Sequence, residues 1–362
     1  MRRYLYHTAL AFGCLVALLL PFPWHLLSFQ QHLLPRLFGN SLYLSDSSAQ
    51  AALYAALALL ALVLAALLSR KPAAMARLAA IMRGFLFLYL AAVLARYGAD
   101  KLLKIQFYLP EPTTLYTPFG QLEKNTLYWS VLGASRPYSI FLGATELLAA
   151  VCLIFPRFRR AGLLLALTVF IQVLAVDLCF GIDVRMFSGF LLLLTMVLLS
   201  PDAGNWWAFF CGRSGYGPLR SRETHIMRLY GIACGLILLE ALWPVLRGGD
   251  WNDDGAARPP LHGAYAVLDQ DAGTTLPRAQ RVFVHRAGYL VLQDSSAALY
   301  PYQLITDTAT GQFSLLRSGR QLRFSYTYTA GDSILCLYDD NGKAKPLLRA
   351  RALNWRALPA LH

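Results

Sequence analysis

The sequence predicts an α-helical membrane protein of about seven transmembrane helices, carrying a small antiparallel β barrel or sandwich at its C-terminal end. Three observations predict it. Of the 362 residues, 57% are hydrophobic. The apolar residues come in blocks of about 18 or more, the length that crosses the hydrocarbon of a bilayer. After Arg247 those blocks give way to short alternating runs, broken by Gly, Asp and Asn.

The apolar blocks lie near 8–27, 50–69, 78–104, 138–155, 161–180, 184–200 and 227–246. The first ends in "LLLPFPWHLL", which offers no small-x-small cleavage motif, so it reads as an uncleaved anchor. Residues 1–77 form an N-terminal hairpin whose outer loop carries Trp24, Phe29 and Tyr43 at interface depth. Residues 78–204 form a four-helix membrane bundle with a long outer loop, 105–136, rich in aromatics and prolines. Residues 205–226 read as an interfacial linker marked by Trp206, Trp207, Phe209 and Phe210. A last span covers 227–247, and 248–362 is the β domain.

Basic residues set the orientation. Arg2 and Arg3, then Arg70, Lys71 and Arg77, then Arg157, Arg159 and Arg160, then Arg213, Arg220, Arg222 and Arg228 all fall on one side if each block crosses once. That side is cytoplasmic, which puts the N-terminus inside and the β domain outside a bacterial-type cytoplasmic membrane. The net charge of +13 is therefore largely topological. It calls for a lipid bilayer as partner and for no nucleic acid.

The β domain is read from eight runs: "HGAYAVLD", "QRVFVHRAG", "YLVLQD", "ALYPYQLITD", "QFSLLR", "QLRFSYTYT", "SILCLYD" and "KPLLRAR". Most alternate, and short turns join them, with Asp339-Asp340-Asn341-Gly342 the strongest hairpin signal. Of the six cysteines only Cys336 lies in this domain, and no CxxC pair exists. Dithiol chemistry is not expected. His7 and His25 are the only histidines near a span, which argues against a bis-histidine haem in the membrane. No metal site and no covalently bound cofactor is expected.

Charges inside the apolar blocks mark the candidate site. In "RYGADKLLKIQFYLPEP", Arg96, Asp100 and Lys104 are spaced four apart and share one helix face. Lys101 and Lys104 are placed to snorkel to the surface. Glu146 lies about nine residues into its span, roughly 12 Å deep. An acid at that depth is costly unless it is paired or faces a cavity. Two readings stand: a proton-handling group, or a structural ion pair with Arg96 or Arg83. Gln172, Asp177, Asp183 and Arg185 extend the polar face. With Tyr108, Glu111 and Trp129 from the outer loop they are expected to close an outward-facing pocket, the loop acting as its lid. Glu146, Arg96 and Asp177 are the catalytic candidates. Lys101, Tyr108, Glu111, Trp129, Gln172, Asp183 and Arg185 are the substrate-binding ones.

Arg83, Gly98, Lys101, the "GATE" of Gly143–Glu146, the basic turn "PRFRRAG" and the small-residue helix "LLLALTVFIQVLAV" occur in that order. In this pattern the segment from about 78 to 200 resembles the DoxX family. The resemblance covers about one third of the chain; its long outer loop departs from the family's shorter linker. It implies a four-helix membrane bundle with quinone-linked redox work, a bound quinone, and a periplasmic or membrane redox partner that supplies the electron carrier. The competing readings are a non-catalytic accessory protein presenting its β domain to a partner or lipid, and a small-solute or lipid pocket open to the outside.

Overall fold

In the computed structural model the described residues are 1–19, 46–212, 227–248, 251–307, 312–317, 320–339 and 345–362. The outer loop bearing Trp24, Phe29 and Tyr43, the basic residues Arg213, Arg220 and Arg222, and Asp340-Asn341-Gly342 of the hairpin turn lie outside them. The chain divides into two compact units. One comprises residues 1–106 and 137–252, the other 107–136 and 253–362.

The first unit is helical. Its helices are α1 (Arg2–Leu19), α2 (Ser48–Ser69), α3 (Pro72–Leu102), and, past the outer loop, α6 (Arg136–Ile154), α7 (Arg159–Phe180), α8 (Arg185–Leu199), α9 (Ala203–Phe210) and α10 (Met227–Gly248). Among the described residues, six helical stretches are long and apolar enough to cross a membrane, and α1 is a shorter apolar helix. The first predicted span, 8–27, is thus represented by the shorter α1, and its part from residue 20 onward lies outside the described residues.

Local chemistry sets the helix ends. Ser47 caps α2 by accepting from the Gln50 N–H. Pro72 opens α3, where no N–H is needed. Gly181 ends α7 at φ +69°, the left-handed conformation that glycine adopts without strain. The start of α8 is capped from a distance: the Asp46 carboxylate accepts the Arg185 and Met186 N–H groups at 3.1 and 2.9 Å.

Helix α3 is the hub, with α1, α2, α8 and α10 packed on it. The stretch from Phe87 to Ala95 is apolar on every face and almost wholly buried. By contrast α2 buries only Gln50, Leu57, Ala61 and Ala65, one stripe at helical spacing. The remaining apolar surface of α2 suits lipid.

The second unit holds the barrel: β1 (Gly263–Gln270), β2 (Arg281–His285), β3 (Tyr289–Gln293), β4 (Leu299–Asp307), β5 (Gln312–Arg317), β6 (Arg320–Thr329), β7 (Ile334–Asp339) and β8 (Leu348–Leu353). Each strand pairs antiparallel with the next, and β1 closes on β8. Closure leaves no open edge. Of the two predicted architectures, barrel and sandwich, the structure is the barrel. Tyr265, Val282, Val284, Leu290, Leu292, Tyr302, Leu315, Phe324, Leu335, Leu337 and Leu348 fill its interior. Eight strands enclose a space that side chains can fill.

Strands β2 and β3, "RVFVH" and "YLVLQ", do not alternate as a half-exposed strand should. They are buried on both faces. On the outside, Leu109, Leu115 and Tyr116 from the outer loop join Leu353, Leu358 and Leu361 to cover Ala264, Phe283, Val291 and Trp355. The loop itself contains the short helices α4 (Pro112–Leu115) and α5 (Lys124–Ala134). Its expected place was as part of the membrane bundle's mouth; its packing places it in the unit that contains the barrel. At about 1.5–3 kcal/mol per large apolar side chain buried, this outer layer is a substantial share of the unit's stability.

Candidate functional site

Two clusters of charged side chains stand out, one in each unit. In the helical unit, Gly98 of α3 faces Gly143 of α6. A Cβ on Gly98 would lie 2.8 Å from the Gly143 carbonyl oxygen, and one on Gly143 would lie 2.6 Å from that of Gly98. The two backbones are therefore in contact, which only glycine permits. One turn further along, Lys101 Nζ meets Glu146 Oε2 at 2.9 Å, both side chains nearly inaccessible. The Lys101 ammonium also lies over the Tyr97 ring at 5.2 Å. Ser139 Oγ donates to the Lys101 carbonyl at 2.7 Å.

This pairing differs from the expected one. Arg96 turns to its own helix, bonding Asp100 at 3.0 Å, and donates to the Ala241 carbonyl of α10 at 3.1 Å. Arg83 stacks on Phe87 at 5.5 Å. Nor does Lys101 snorkel, because its partner is inside. Lys104 is fully buried with φ 56°, just past the last turn of α3, where the Ile105 and Gln106 N–H groups return to the Asp100 carbonyl. It therefore leaves the helical face it was expected to share with Arg96 and Asp100.

Of the other helical candidates, Asp177 stays within electrostatic reach of Tyr97, as Glu146, Asp100 and Arg96 do, while Gln172, Asp183 and Arg185 have other surroundings. Asp177 is buried in α7, with one carboxylate oxygen lacking a partner among the described residues. Gln172 is exposed on α7. Asp183 is exposed and bonds Arg185 at 3.1 Å, while Arg185 Nε reaches Asp46 at 2.7 Å. Asp46 lies outside the spans. Burial raises its carboxyl pKa, but the Met186 and Arg185 donors outweigh this and hold it below the usual range.

The second cluster belongs to the barrel unit and centres on Glu111. Its Oε2 accepts from His262 Nε2 at 3.0 Å, at the entry to β1. His285 Nε2, at the end of β2, lies 3.9 Å from the same oxygen. Arg286 Nε lies 3.9 Å from Oε1, and the Arg286 N–H makes a long 3.4 Å contact. Arg286 is itself held by a fork to Asp253, and Asp253 also accepts from Arg258. The Tyr108 ring lies under the Arg286 guanidinium at 4.5 Å. Gly133 of α5 lets this segment approach, since a Cβ there would sit 2.1 Å from the Tyr108 carbonyl oxygen. Trp129 packs on Phe107 at 5.3 Å, within the loop's own small core.

A second fastening lies further along the loop. Gln293, fully buried in β3, donates to the Tyr116 carbonyl at 3.2 Å and accepts from Arg281 at 3.1 Å. Tyr116 lies against Phe283 and under Arg281.

Protonation follows from these contacts. Burial pushes the Glu111 carboxyl up. The His262 hydrogen bond, the His285 and His262 charges and the Arg286 N–H outweigh it, so Glu111 sits below its usual range. Asp253 is likewise lowered, its two arginines overcoming burial. His285 is lowered, chiefly by burial, with Glu111 opposing. Geometry gives a further reason: His285 Nδ1 accepts the Ala287 N–H at 3.1 Å, and a proton on Nδ1 would break that bond. Among the described residues no group of three or more His, Cys, Asp or Glu side chains is arranged to hold a metal ion.

Sequence reasoning singled out Glu111 and Tyr108 but missed His262, His285, Arg286, Asp253 and Arg258. The available signal was "VHRAG", a His-Arg pair in a hairpin turn, together with an acidic "DWNDDG" stretch just after the last span. The buried acid Glu240 in α10 was missed as well.

Fold and clusters together define a polytopic helical protein of the membrane class carrying a closed eight-stranded barrel. No family model matches the chain, and no solved structure matches it. A stretch of 99 residues is 31% identical to the uncharacterized protein YwoB of Bacillus subtilis (strain 168), covering 27% of this chain and 62% of that relative. The chain thus spans less than two thirds of that protein's length.

Two outcomes are expected. Lys101→Met or Glu146→Leu alone strands a buried charge and costs about 3–5 kcal/mol. The double variant returns close to the parent stability, as read by thermal unfolding of the full chain in detergent. Additive losses would show that the two residues are not coupled. The barrel unit should weaken on acidification. The depressed His285 contributes stability that is complete above its ordinary 6.5 and is lost as pH falls through its lower folded value. Glu111 and Asp253 add a second loss below 4.5 and 3.8. The unit's melting temperature measured from pH 7.5 to 5.5 should fall in the parent and stay level in His285→Gln.

Proposed function

We propose that this chain is a membrane-anchored barrel protein. Its helical unit holds it in a bacterial-type cytoplasmic membrane. The barrel, completed by residues 107–136, is the part that engages a partner outside the cytoplasm. The observation that carries this reading is the Lys101–Glu146 pair. The acid that most resembles a proton-handling group spends its charge on a neighbouring helix, beside glycine backbones in contact, which leaves no room for a ligand between them. The one-sided basic clusters support the orientation.

A second reading is favoured by a different observation. Both amide atoms of Gln50 and one oxygen of Asp177 are buried without partners among the described residues. Orphaned polar atoms inside a bundle suit a bound polar head group. This is the quinone-linked redox subunit that the DoxX resemblance implies. Glu146, Arg96 and Asp177 would then be its working residues, and a redox partner would supply the electron carrier.

Solvent extraction of the full-length protein, purified in mild detergent, separates the two. The anchor reading expects quinone well below one per chain, with the same trace in Glu146→Gln and Asp177→Asn. One quinone per chain, lost in those variants, would overturn it in favour of the redox reading.

A further inference from the structure

At the end of the barrel where β1 leads towards β2, a cleft of about 790 Å³ opens among three segments. They are residues 266–270 of β1, residues 277–281 at the start of β2, and the β3–β4 hairpin with Asp294, Ser295 and Tyr300. The volume is within the range of small-ligand sites, which often lie in the mouths of barrels. Strand β1 shifts register between Val267 and Asp269 in this lining. An extra residue of that kind re-aims side chains and is common beside functional sites.

Side chains of the cleft hold its segments in place. Gln270 Nε2 donates to the Pro277 carbonyl at 2.9 Å, and its Oε1 accepts the Ala279 N–H at 2.8 Å. Asp294 accepts the Ser296 and Ala298 N–H groups at 2.8 and 3.0 Å, and the Tyr300 hydroxyl at 3.1 Å. Arg281 donates to Gln293 at 3.1 Å and lies over the Tyr116 ring at 5.3 Å. Walls ordered in this way spare a ligand the cost of ordering them. Asp269, Arg278, Gln280 and Ser295 belong to the same lining and are exposed.

The lining discriminates among ligands. Asp269 and Asp294 stand with Arg278 and Arg281, so a strongly charged ligand of either sign meets like charge. Most of the lining side chains are polar, unlike the apolar sites that take lipids. The bordering backbone is paired: the Val267 N–H donates to the Gln280 carbonyl at 2.9 Å, and the Gln280 N–H to the Gln293 carbonyl at 2.7 Å. An extended peptide therefore finds little edge to join. A hydroxyl both donates and accepts, so a row of them matches carboxylate, amide and guanidinium side by side.

We propose that this cleft binds a neutral polyhydroxylated chain, a segment of oligosaccharide. Asp269 accepts from its hydroxyls, and Arg278 and Gln280 donate to them. The inference rests on the reading of the barrel as the part that engages a partner, and it names that partner's chemistry.

The test is calorimetric titration of the full-length protein in detergent. The probes are maltohexaose, cellohexaose and chitohexaose, a hexamer of galacturonate as the charged counterpart, and a ten-residue Gly-Ser peptide. At least one neutral hexasaccharide should bind saturably, and more tightly than the charged hexamer or the peptide. Asp269→Ala and Gln280→Ala should each weaken that binding by about three- to tenfold, as the loss of a hydrogen bond does. Ala266→Phe, which fills the cleft, should abolish it. If Ala266→Phe does not fold, the two variants at exposed positions carry the test. Binding of the peptide alone overturns the proposal and leaves the barrel as the engaging part. Tighter binding of the charged hexamer, binding of none of the probes, or binding unchanged in the variants also overturns it. Quinone content is measured separately, so failure here and failure of the anchor reading are told apart.

Discussion

A single carboxylate decides which part of the protein the outer loop belongs to. Glu111 is 151 residues from His262 in sequence, yet the two side chains meet at 3.0 Å. His285 and Arg286, at the far end of β2, close around the same acid. Chain entropy opposes bringing such distant segments together. The apolar side chains of the loop supply the driving force, because they bury the outside of β1, β2 and β3. The polar contacts fix the register of that docking, since a buried acid tolerates few alternative positions. Without the loop, Phe283 and Val291 would be an apolar patch on the barrel wall.

The helical unit obeys a different constraint. Hydrocarbon offers no hydrogen bonds, so every polar group in a span must find its partner inside the protein. Helix α6 has 19 residues, about 28 Å in length, and Glu146 lies near its middle. At that depth the acid needs a cation within reach, and contact between Gly98 and Gly143 brings Lys101 there. Arg96 meets the same need by pairing within α3 and by bonding a carbonyl of α10. The hydrogen-bonded pairs differ, but Arg96, Asp100, Lys101 and Glu146 stay within electrostatic reach of one another around Tyr97.

Much of the fold was legible because it rests on local patterns. The eight strands follow from runs of alternating or uniformly apolar residues between turn formers, and the helices follow from block length. The runs "VFV" and "LVL" in β2 and β3 were read with the alternating strands, and the structure buries them on both faces. What covers the outer face was not legible, because the covering residues lie before α6 in sequence. Glu146 and Lys101 were each visible as unusual charges. Their pairing was not, since it depends on which way α3 is rotated, and a shift of one residue changes the facing side chain by about 100°. His285 and Arg286 looked like ordinary hairpin residues until Glu111 was beside them.

Residues 107–116 pack as one body with the barrel. Hydrogen–deuterium exchange of the full-length protein tests it most directly, read by peptide from β2, β3 and the loop in the parent and in Glu111→Gln. Leu115, Tyr116 and their neighbours should be protected together with β2 and β3 in the parent. Exchange in the loop and in β2 should speed up together in the variant. A loop that exchanges freely in the parent, or one whose exchange in Glu111→Gln is unchanged, would contradict it.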